Sequence, residues 1–374
     1  MTTEISCGTK EALREMLRPC ISMVLVEGCI IGLTILASTA MAKGMSPYVF
    51  VVYTNALGSI LLLPFTFFHD RSRNGEPLLT FPLFIRLFVL GFIGVTIAQN
   101  LAFVGLSYSS PIVACGMANQ MPAFSFLLGL LLRTTKFDCK SSGSRARLIG
   151  TLISFSGAVS LTLYKGPTVR NQSSSPSLAF RAAPRLLVFT STHENWVLGC
   201  ILFAAASFTL AIWNVVQVGT LKMCSKVMKI ISLYSLFGTL QSAALAMFLE
   251  RDPNAWRLDF NFELLIIILT AVFSSLIRIH VQMWCTRIRG PNFVPIFKPF
   301  GIPYASAFGS FFFADTFHYG SMMGALICGV GYYTVLWGQF KDEETSMIDN
   351  NYKGKISSMD DDKVPLLQDQ ESQV

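Results

Sequence analysis

Ten uninterrupted apolar stretches constrain this chain more than any other feature of its sequence. A helix that spans a bilayer needs about 20 residues, and the stretches lie at about 20–42, 47–68, 87–107, 111–132, 148–164, 196–216, 228–249, 263–285, 291–313 and 320–340. They are continuously apolar, whereas the strands of a membrane barrel would alternate over about ten residues. Only 14% of the residues are charged, compared with about 25% in soluble domains. The sequence therefore predicts an all-α membrane protein with ten transmembrane helices.

A long polar connection divides the stretches into two sets of five. Because each half would cross the membrane an odd number of times, two related halves must insert in opposite orientations, as in many secondary transporters. We expect a first five-helix repeat at 20–164, an extracytosolic loop at 165–195 and a second repeat at 196–340, between an N-terminal segment at 1–19 and a disordered tail at 341–374.

Weak internal similarity agrees with a duplication. Asn119 in the first half occupies the place that Lys298 takes in the second half. Glycines near the ends of the halves also occupy corresponding positions: Gly150 and Gly157 in the first half correspond to Gly324 and Gly331 in the second.

The distribution of Lys and Arg predicts which way the chain inserts. These residues are concentrated on the two terminal segments and on every second connection, so the positive-inside rule places both termini in the cytosol. The net charge of +7 is then explained by cytosolic segments that meet anionic lipid, and no nucleic-acid partner is implied.

Two short motifs lie in the polar segments. Asn171 begins an Asn-Gln-Ser triplet on the extracytosolic loop, which is either an N-glycosylation acceptor or a chance occurrence. In the cytosolic tail, Asp362 precedes Leu366 and Leu367 in the form of an acidic dileucine sorting signal, which an adaptor could bind unless the leucine pair is coincidental.

A set of ordered motifs runs through the apolar chain: Gly44 to Phe50, Gln99 to Leu101, Leu163 to Pro167, Gln241-Ser242, Glu250 to Asp252, Arg289 to Pro291 and Val335 to Gly338. In these the chain resembles the plant drug/metabolite exporters of the nodulin-21-like, EamA-domain ("walls are thin"-related) family. The resemblance implies ten helices in two inverted five-helix EamA-like repeats and the export or bidirectional movement of small amphipathic solutes, amino acids among them. It also implies a location in the plasma membrane or the vacuolar membrane.

Three ionisable residues stand out within the apolar stretches, and such residues are functional candidates because burying a charge in a membrane is costly. Glu27, Arg278 and Lys298 each lie seven residues from a predicted cytosolic helix end, at a depth of roughly 10 Å. We expect Glu27 to pair with Lys298 or Arg278 in a central cavity that has one net positive charge, which a substrate carboxylate would balance. Glu27 is also a candidate to exchange protons and couple transport to a proton gradient. The alternative is a structural ion pair, with Arg278 extending to the interface.

Uncharged polar and aromatic residues within the stretches form a second group of candidates. The amides could hydrogen-bond a zwitterionic substrate and the indoles could form an apolar wall, or these side chains could serve only to join helices. The candidates are Gln99, Asn100, Asn119, Asn214, Gln217, Gln282, Trp213 and Trp284.

These features predict a secondary transporter, working by alternating access, of small organic solutes such as amino acids or related carboxylate-bearing metabolites. An exchanger of nucleotide sugars or phosphate esters is the alternative within the same class, but it would need several basic residues around one cavity. A membrane-embedded enzyme is the alternative from another class, and the sequence contains neither an HxxxH nor an HExxH motif. We expect no metal and no cofactor.

Overall fold

The computed structural model describes residues 2–70, 80–134, 141–164, 195–223, 227–258, 260–312 and 319–361. Within these ranges the chain forms ten helices, which we number α1 to α10. Their bounds are α1 (Thr2–Ala42), α2 (Pro47–Asp70), α3 (Phe81–Tyr108), α4 (Pro111–Leu131), α5 (Ser142–Leu163), α6 (Trp196–Met223), α7 (Val227–Leu249), α8 (Phe262–Arg289), α9 (a 3₁₀ segment, Val294–Phe300, and an α-helix, Gly301–Phe312) and α10 (Tyr319–Asp361). A short 3₁₀ turn, Pro253–Trp256, lies between α7 and α8.

Nine of these described helices are long and apolar enough to cross a membrane. The exception is α9, where the sequence predicts a continuous span at 291–313. Pro295 and Pro299 lack the backbone N–H that an α-helix needs, and the chain forms a 3₁₀ segment before the α-helix starts at Gly301. The prediction of an all-α membrane protein is confirmed.

Three other helices are irregular in their middle. Helix α4 turns at Asn119 and Gln120 between its two α-helical parts, Pro111–Ala118 and Met121–Leu131, and Pro122 occupies the first turn of the second part. Helices α3 and α8 each contain π-helical turns, at Phe92–Gln99 and at Phe273–Ile277. Such turns are often found at functional sites.

Helices α5 and α10 pack along a seam of glycines spaced seven residues apart. The order is reversed along the two chains, so the helices are antiparallel. A Cβ atom added to Gly143, Gly150 or Gly157 would lie 2.8, 2.9 or 3.1 Å from the carbonyl oxygen of Gly338, Gly331 or Gly324, respectively. Small residues allow such close backbone approach between membrane helices.

The structure differs from the predicted boundaries at both ends of the chain. The expected N-terminal segment, 1–19, joins the first span in one helix from Thr2, with Pro19 inside it. The tail was expected to be disordered from residue 341, but α10 continues to Asp361. Extending an existing helix avoids the cost of nucleating a new one, so a polar sequence can remain helical there.

Helix α5 also begins earlier than its apolar stretch, which starts at about residue 148. Its first residue is Ser142, because the hydroxyl of Ser141 accepts a hydrogen bond from the backbone N–H of Ser144 and caps the helix.

Candidate functional site

A cavity of about 570 Å³ lies between helices from both halves of the chain. We call it the first cavity. Its walls come from α1, α3, α4, α6, α9, α10 and the connection between α8 and α9. Phe103, Leu106 and Phe203 contribute large apolar side chains to these walls. Because Asn292 and Phe340 also line it, the first cavity extends to the end of the bundle where α8 joins α9 and the apolar part of α10 ends.

The charged group in the first cavity is an ion pair between Glu27 and Lys298. Lys298 Nζ lies 3.0 Å from Glu27 Oε1. The Glu27 side chain is 4% exposed, whereas that of Lys298 is 41% exposed. No described residue gives Glu27 Oε1 a well-directed hydrogen bond, so the contact is mainly ionic. The ammonium group is therefore the more accessible member of the pair.

Irregular backbone places two of the predicted residues at this cavity. Lys298 lies on the 3₁₀ segment of α9, and Asn119 lies at the turn that divides α4. Both side chains line the first cavity, and Asn119 Nδ2 is buried without a hydrogen-bond partner among the described residues. Broken helices of this kind form the substrate sites of many transporters.

The mouth of the first cavity carries a small polar network. The side chain of Asn292 donates a hydrogen bond of 2.8 Å to Glu343 Oε2, and Gln339 Nε2 lies 3.4 Å from Glu343 Oε1. Asn292 and Gln339 both line the cavity. These residues connect the start of α9 to α10 at the rim.

A second cavity, of about 250 Å³, lies among α1, α2, α3 and α8. Arg278 and Gln99 line this second cavity and not the first. Arg278 makes no ion pair with any described residue, so of the two pairings expected for Glu27 the structure contains the one with Lys298. Gln99 Oε1 accepts a hydrogen bond of 2.6 Å from Asn55 Nδ2.

Asn214 is a further predicted residue that lines the first cavity. The remaining polar candidates do not face it. Asn100 is buried and donates hydrogen bonds to the Thr96 carbonyl and, at 3.0 Å, to Ser242 Oγ on α7. It therefore joins α3 to α7. Gln217 and Gln282 line neither of the two cavities, and the carbonyl of Gln282 accepts a hydrogen bond from Thr286.

The two tryptophan candidates do not line either cavity. Trp213 packs edge-on against Tyr234, with 5.9 Å between the ring centroids. Trp284 is 41% exposed on α8. Trp213 is thus a packing residue, and Trp284 lies on the outer surface of the bundle.

Sequence reasoning missed several residues that line the cavities. In the first cavity, Ser207 donates a hydrogen bond of 2.9 Å to the Met117 carbonyl, and Tyr332 donates one of 2.8 Å to the Pro295 carbonyl. Asn55 in the second cavity is a polar residue inside an apolar stretch, a signal that could have identified it.

The motif residues in the polar segments, Asn171, Asp362, Leu366 and Leu367, lie outside the described residues.

Helices of membrane-spanning length surround a cavity that contains a charged pair, and broken helices form part of its wall. These features define a multi-pass integral membrane protein of the transporter class. Comparison with known proteins identifies the family. Residues 18–163 match the model of the EamA-like transporter family. A WAT1-related protein of Arabidopsis thaliana is 49% identical over 365 residues, which cover 96% of this chain and 97% of the relative. Two further WAT1-related proteins of that plant are 47% identical (96% of this chain, 97% of the relative) and 35% identical (91% and 89%).

The chain therefore belongs to the WAT1-related proteins of the EamA-like transporter family, and the resemblance drawn from its motifs is confirmed. It is a membrane transporter and not an enzyme.

Proposed function

We propose that this protein is a secondary transporter of small amphipathic solutes that carry a carboxylate, such as amino acids, and that the first cavity is its substrate site. The observation that carries the proposal is the unequal exposure of the ion pair, 41% for the Lys298 side chain and 4% for Glu27, inside a largely apolar cavity. A substrate carboxylate can approach the ammonium of Lys298 while its apolar part contacts the aromatic walls.

The charge of the lining favours a carboxylate over a phosphate ester. Lys298 is the one Lys or Arg among the described residues that line the first cavity, and Glu27 already neutralises part of its charge. A nucleotide sugar carries at least two negative charges and would be left without sufficient positive partners in a low-dielectric site.

We further propose two five-helix repeats in opposite orientations, both termini in the cytosol, and alternating access between the halves. The helix contacts support the repeats, because they recur when each helix is replaced by its counterpart five places away in the other half. Helix α3 contacts α6 and α7, and its counterpart α8 contacts their counterparts α1 and α2. The π-helical turns occur in α3 and α8 as well, and the breaks occur in α4 and α9. The plasma membrane or the vacuolar membrane is the proposed location, and Glu27 is the proposed group for proton coupling.

Uptake and efflux of radiolabelled L-phenylalanine in oocytes tests the substrate class, with phenethylamine as the matched solute that lacks the carboxylate. We expect the wild type to move phenylalanine and not phenethylamine. Lys298→Met should reduce the flux of phenylalanine about tenfold or more, because a charge-assisted contact contributes about 1.5–3 kcal/mol. Lys298→Arg should restore part of it.

The control is Lys341→Met, which removes an exposed lysine of α10 that contacts the Trp337 ring and lines neither cavity. Its flux should equal that of the wild type at matched surface expression. In Glu27→Gln, flux should persist but lose its response to an imposed pH gradient. Wild-type flux in Lys298→Met would refute the assignment of the substrate site.

A further inference from the structure

The second cavity contains a cation whose charge the surrounding protein does not balance. Arg278 is the one ionisable residue among the described residues that line it. Arg278 Nε is buried and donates no hydrogen bond to a described residue. A partly buried arginine without a counter-charge is costly in a membrane protein, and ionisable residues within spans are usually functional.

The neighbours of Arg278 supply neutral donors and acceptors and no anion. Thr270 Oγ1 is also buried without a hydrogen-bond partner among the described residues, on the same helix and facing the same cavity. The amides of Asn55 and Gln99 also line this cavity and are joined to each other by their 2.6 Å hydrogen bond. One cation, one unpaired hydroxyl and several uncharged polar groups in the same lining match the needs of a carboxylate.

The two cavities are adjacent. Thr34, Ile30 and Phe103 line both of them, so a wall one side chain thick divides the first cavity from the second. Along α1 the first cavity involves Glu27 and the second extends to Ala37, two to three turns further on. Along α1 the second cavity therefore extends further from the mouth than the ion pair does, and Phe103 lies between the two cavities.

The backbone at the second cavity is also specialised. The π-helical turns of α3 end at Gln99, and those of α8 end immediately before Arg278. A π-helical turn inserts an extra residue and changes which side chains face inward beyond it. Both turns are therefore placed where they determine which residues reach the second cavity.

We propose that the second cavity is a second carboxylate-binding site, centred on Arg278 and in series with the site at Lys298. It rests on the proposed function, because the ligand is the carboxylate-bearing solute that enters the first cavity. A solute that leaves Lys298 passes Phe103 and exchanges one cationic partner for another, so its carboxylate is not left unpaired within the bundle.

Equilibrium binding of radiolabelled L-phenylalanine to the purified, detergent-solubilised full-length protein tests this inference. We expect two molecules bound per wild-type chain at saturation. Arg278→Gln should retain the site at Lys298 and weaken the other about tenfold or more. Lys298→Met should give the converse pattern, and Arg278→Lys should retain both sites. The matched control is Arg257→Gln, an exposed arginine that lines neither cavity.

A second variant keeps the test decisive if Arg278→Gln fails to fold. Thr270→Val is nearly isosteric and removes a hydroxyl that has no partner among the described residues, so its fold should be unharmed. It should weaken only the second site, by several fold.

The second site would be overturned if both Arg278→Gln and Thr270→Val still bound two molecules. It would also be overturned if the wild type had a single site that Lys298→Met abolishes. Either result would leave the proposed function intact. Wild-type binding in Lys298→Met, or no binding of phenylalanine at all, would overturn the proposed function and this inference with it.

Discussion

Replacing Gly150 with alanine tests the close approach of the α5 and α10 backbones. The added Cβ would lie 2.6 Å from the backbone nitrogen of Val335, 2.8 Å from Val335 Cγ2 and 2.9 Å from the carbonyl oxygen of Gly331. Ordinary carbon contacts lie at about 3.5–4.0 Å. Two of the three atoms belong to the backbone of α10, so no side-chain rotation can relieve the overlap. The helices α5 and α10 must move apart by roughly 1 Å around Gly150.

Two effects of opposite sign determine the magnitude. Alanine favours a helix over glycine by about 0.8–1.0 kcal/mol. Overpacking a close interface costs about 1–3 kcal/mol, and the cost is at the upper end where backbone is displaced. A gap of 0.5–1 Å also forfeits a quarter to a half of each dispersion contact along the seam. We therefore expect a net destabilisation of about 1–2 kcal/mol for Gly150→Ala.

Gly32→Ala is the matched control, because Gly32 is helical and an added Cβ would meet no atom within 4 Å. Both variants share the gain in helix propensity, so the difference between them isolates the overlap at about 1–3 kcal/mol. Thermal unfolding in one detergent should place Gly150→Ala several degrees below Gly32→Ala. Equal melting temperatures would show that α5 and α10 do not approach each other as closely as the structure indicates.

Two further predictions concern residues outside the cavities. Asp342→Asn should lower the melting temperature and reduce the free energy of unfolding by about 1–2 kcal/mol. The reason is that Asp342 Oδ2 lies 3.3 Å from Arg147 Nη1, and Asp342 Oδ1 accepts a 2.9 Å hydrogen bond from Ser141. An unchanged melting temperature would mean that these contacts do not hold α5 to α10. Trp284→Ala should leave the flux of phenylalanine within about twofold of the wild type, because Trp284 is 41% exposed and lines neither cavity; a loss of flux at matched surface expression would place it on the transport path.

The depth of charged residues in the membrane could be predicted from the sequence, and this depth correctly indicated that Glu27 and Lys298 could pair. Counting seven residues from each predicted helix end placed Glu27 and Lys298 at one level, and the structure places them 3.0 Å apart. The same count placed Arg278 at that level too, yet Arg278 lines a different cavity. Depth fixes one coordinate only, and the choice of partner depends on which helices are neighbours.

The direction in which a side chain faces could not be predicted from these helices. A soluble helix reveals its buried face by apolar periodicity, but a membrane helix is apolar on every side. Gln99 and Asn100 are adjacent, about 100° apart around the helix, so one lines the second cavity and the other joins α3 to α7 through Ser242. The π-helical turns of α3 further change the direction in which these side chains point, and no feature of the sequence marks those turns.

The glycines of the seam could be found in the sequence, but their contacts could not. The sequence analysis treated Gly150 and Gly157 as the positions that correspond to Gly324 and Gly331 in the second half. In the structure Gly150 lies against Gly331, and Gly157 lies against Gly324. Correspondence between two halves does not say which residues touch, because antiparallel helices bring the early positions of one against the late positions of the other.

Helix contacts recur between the two halves of the chain, but the charge does not. Helix α1 contacts α9 as α6 contacts α4. At the first of these interfaces Glu27 and Lys298 form an ion pair, and at the second Ser207 donates a neutral hydrogen bond to the Met117 carbonyl. A carboxylate that binds Lys298 must compete with Glu27, and it meets no such competitor at Ser207. In the proposed transport cycle the two interfaces therefore respond differently to substrate, because binding weakens an ion pair at one of them and leaves the hydrogen bond at the other intact.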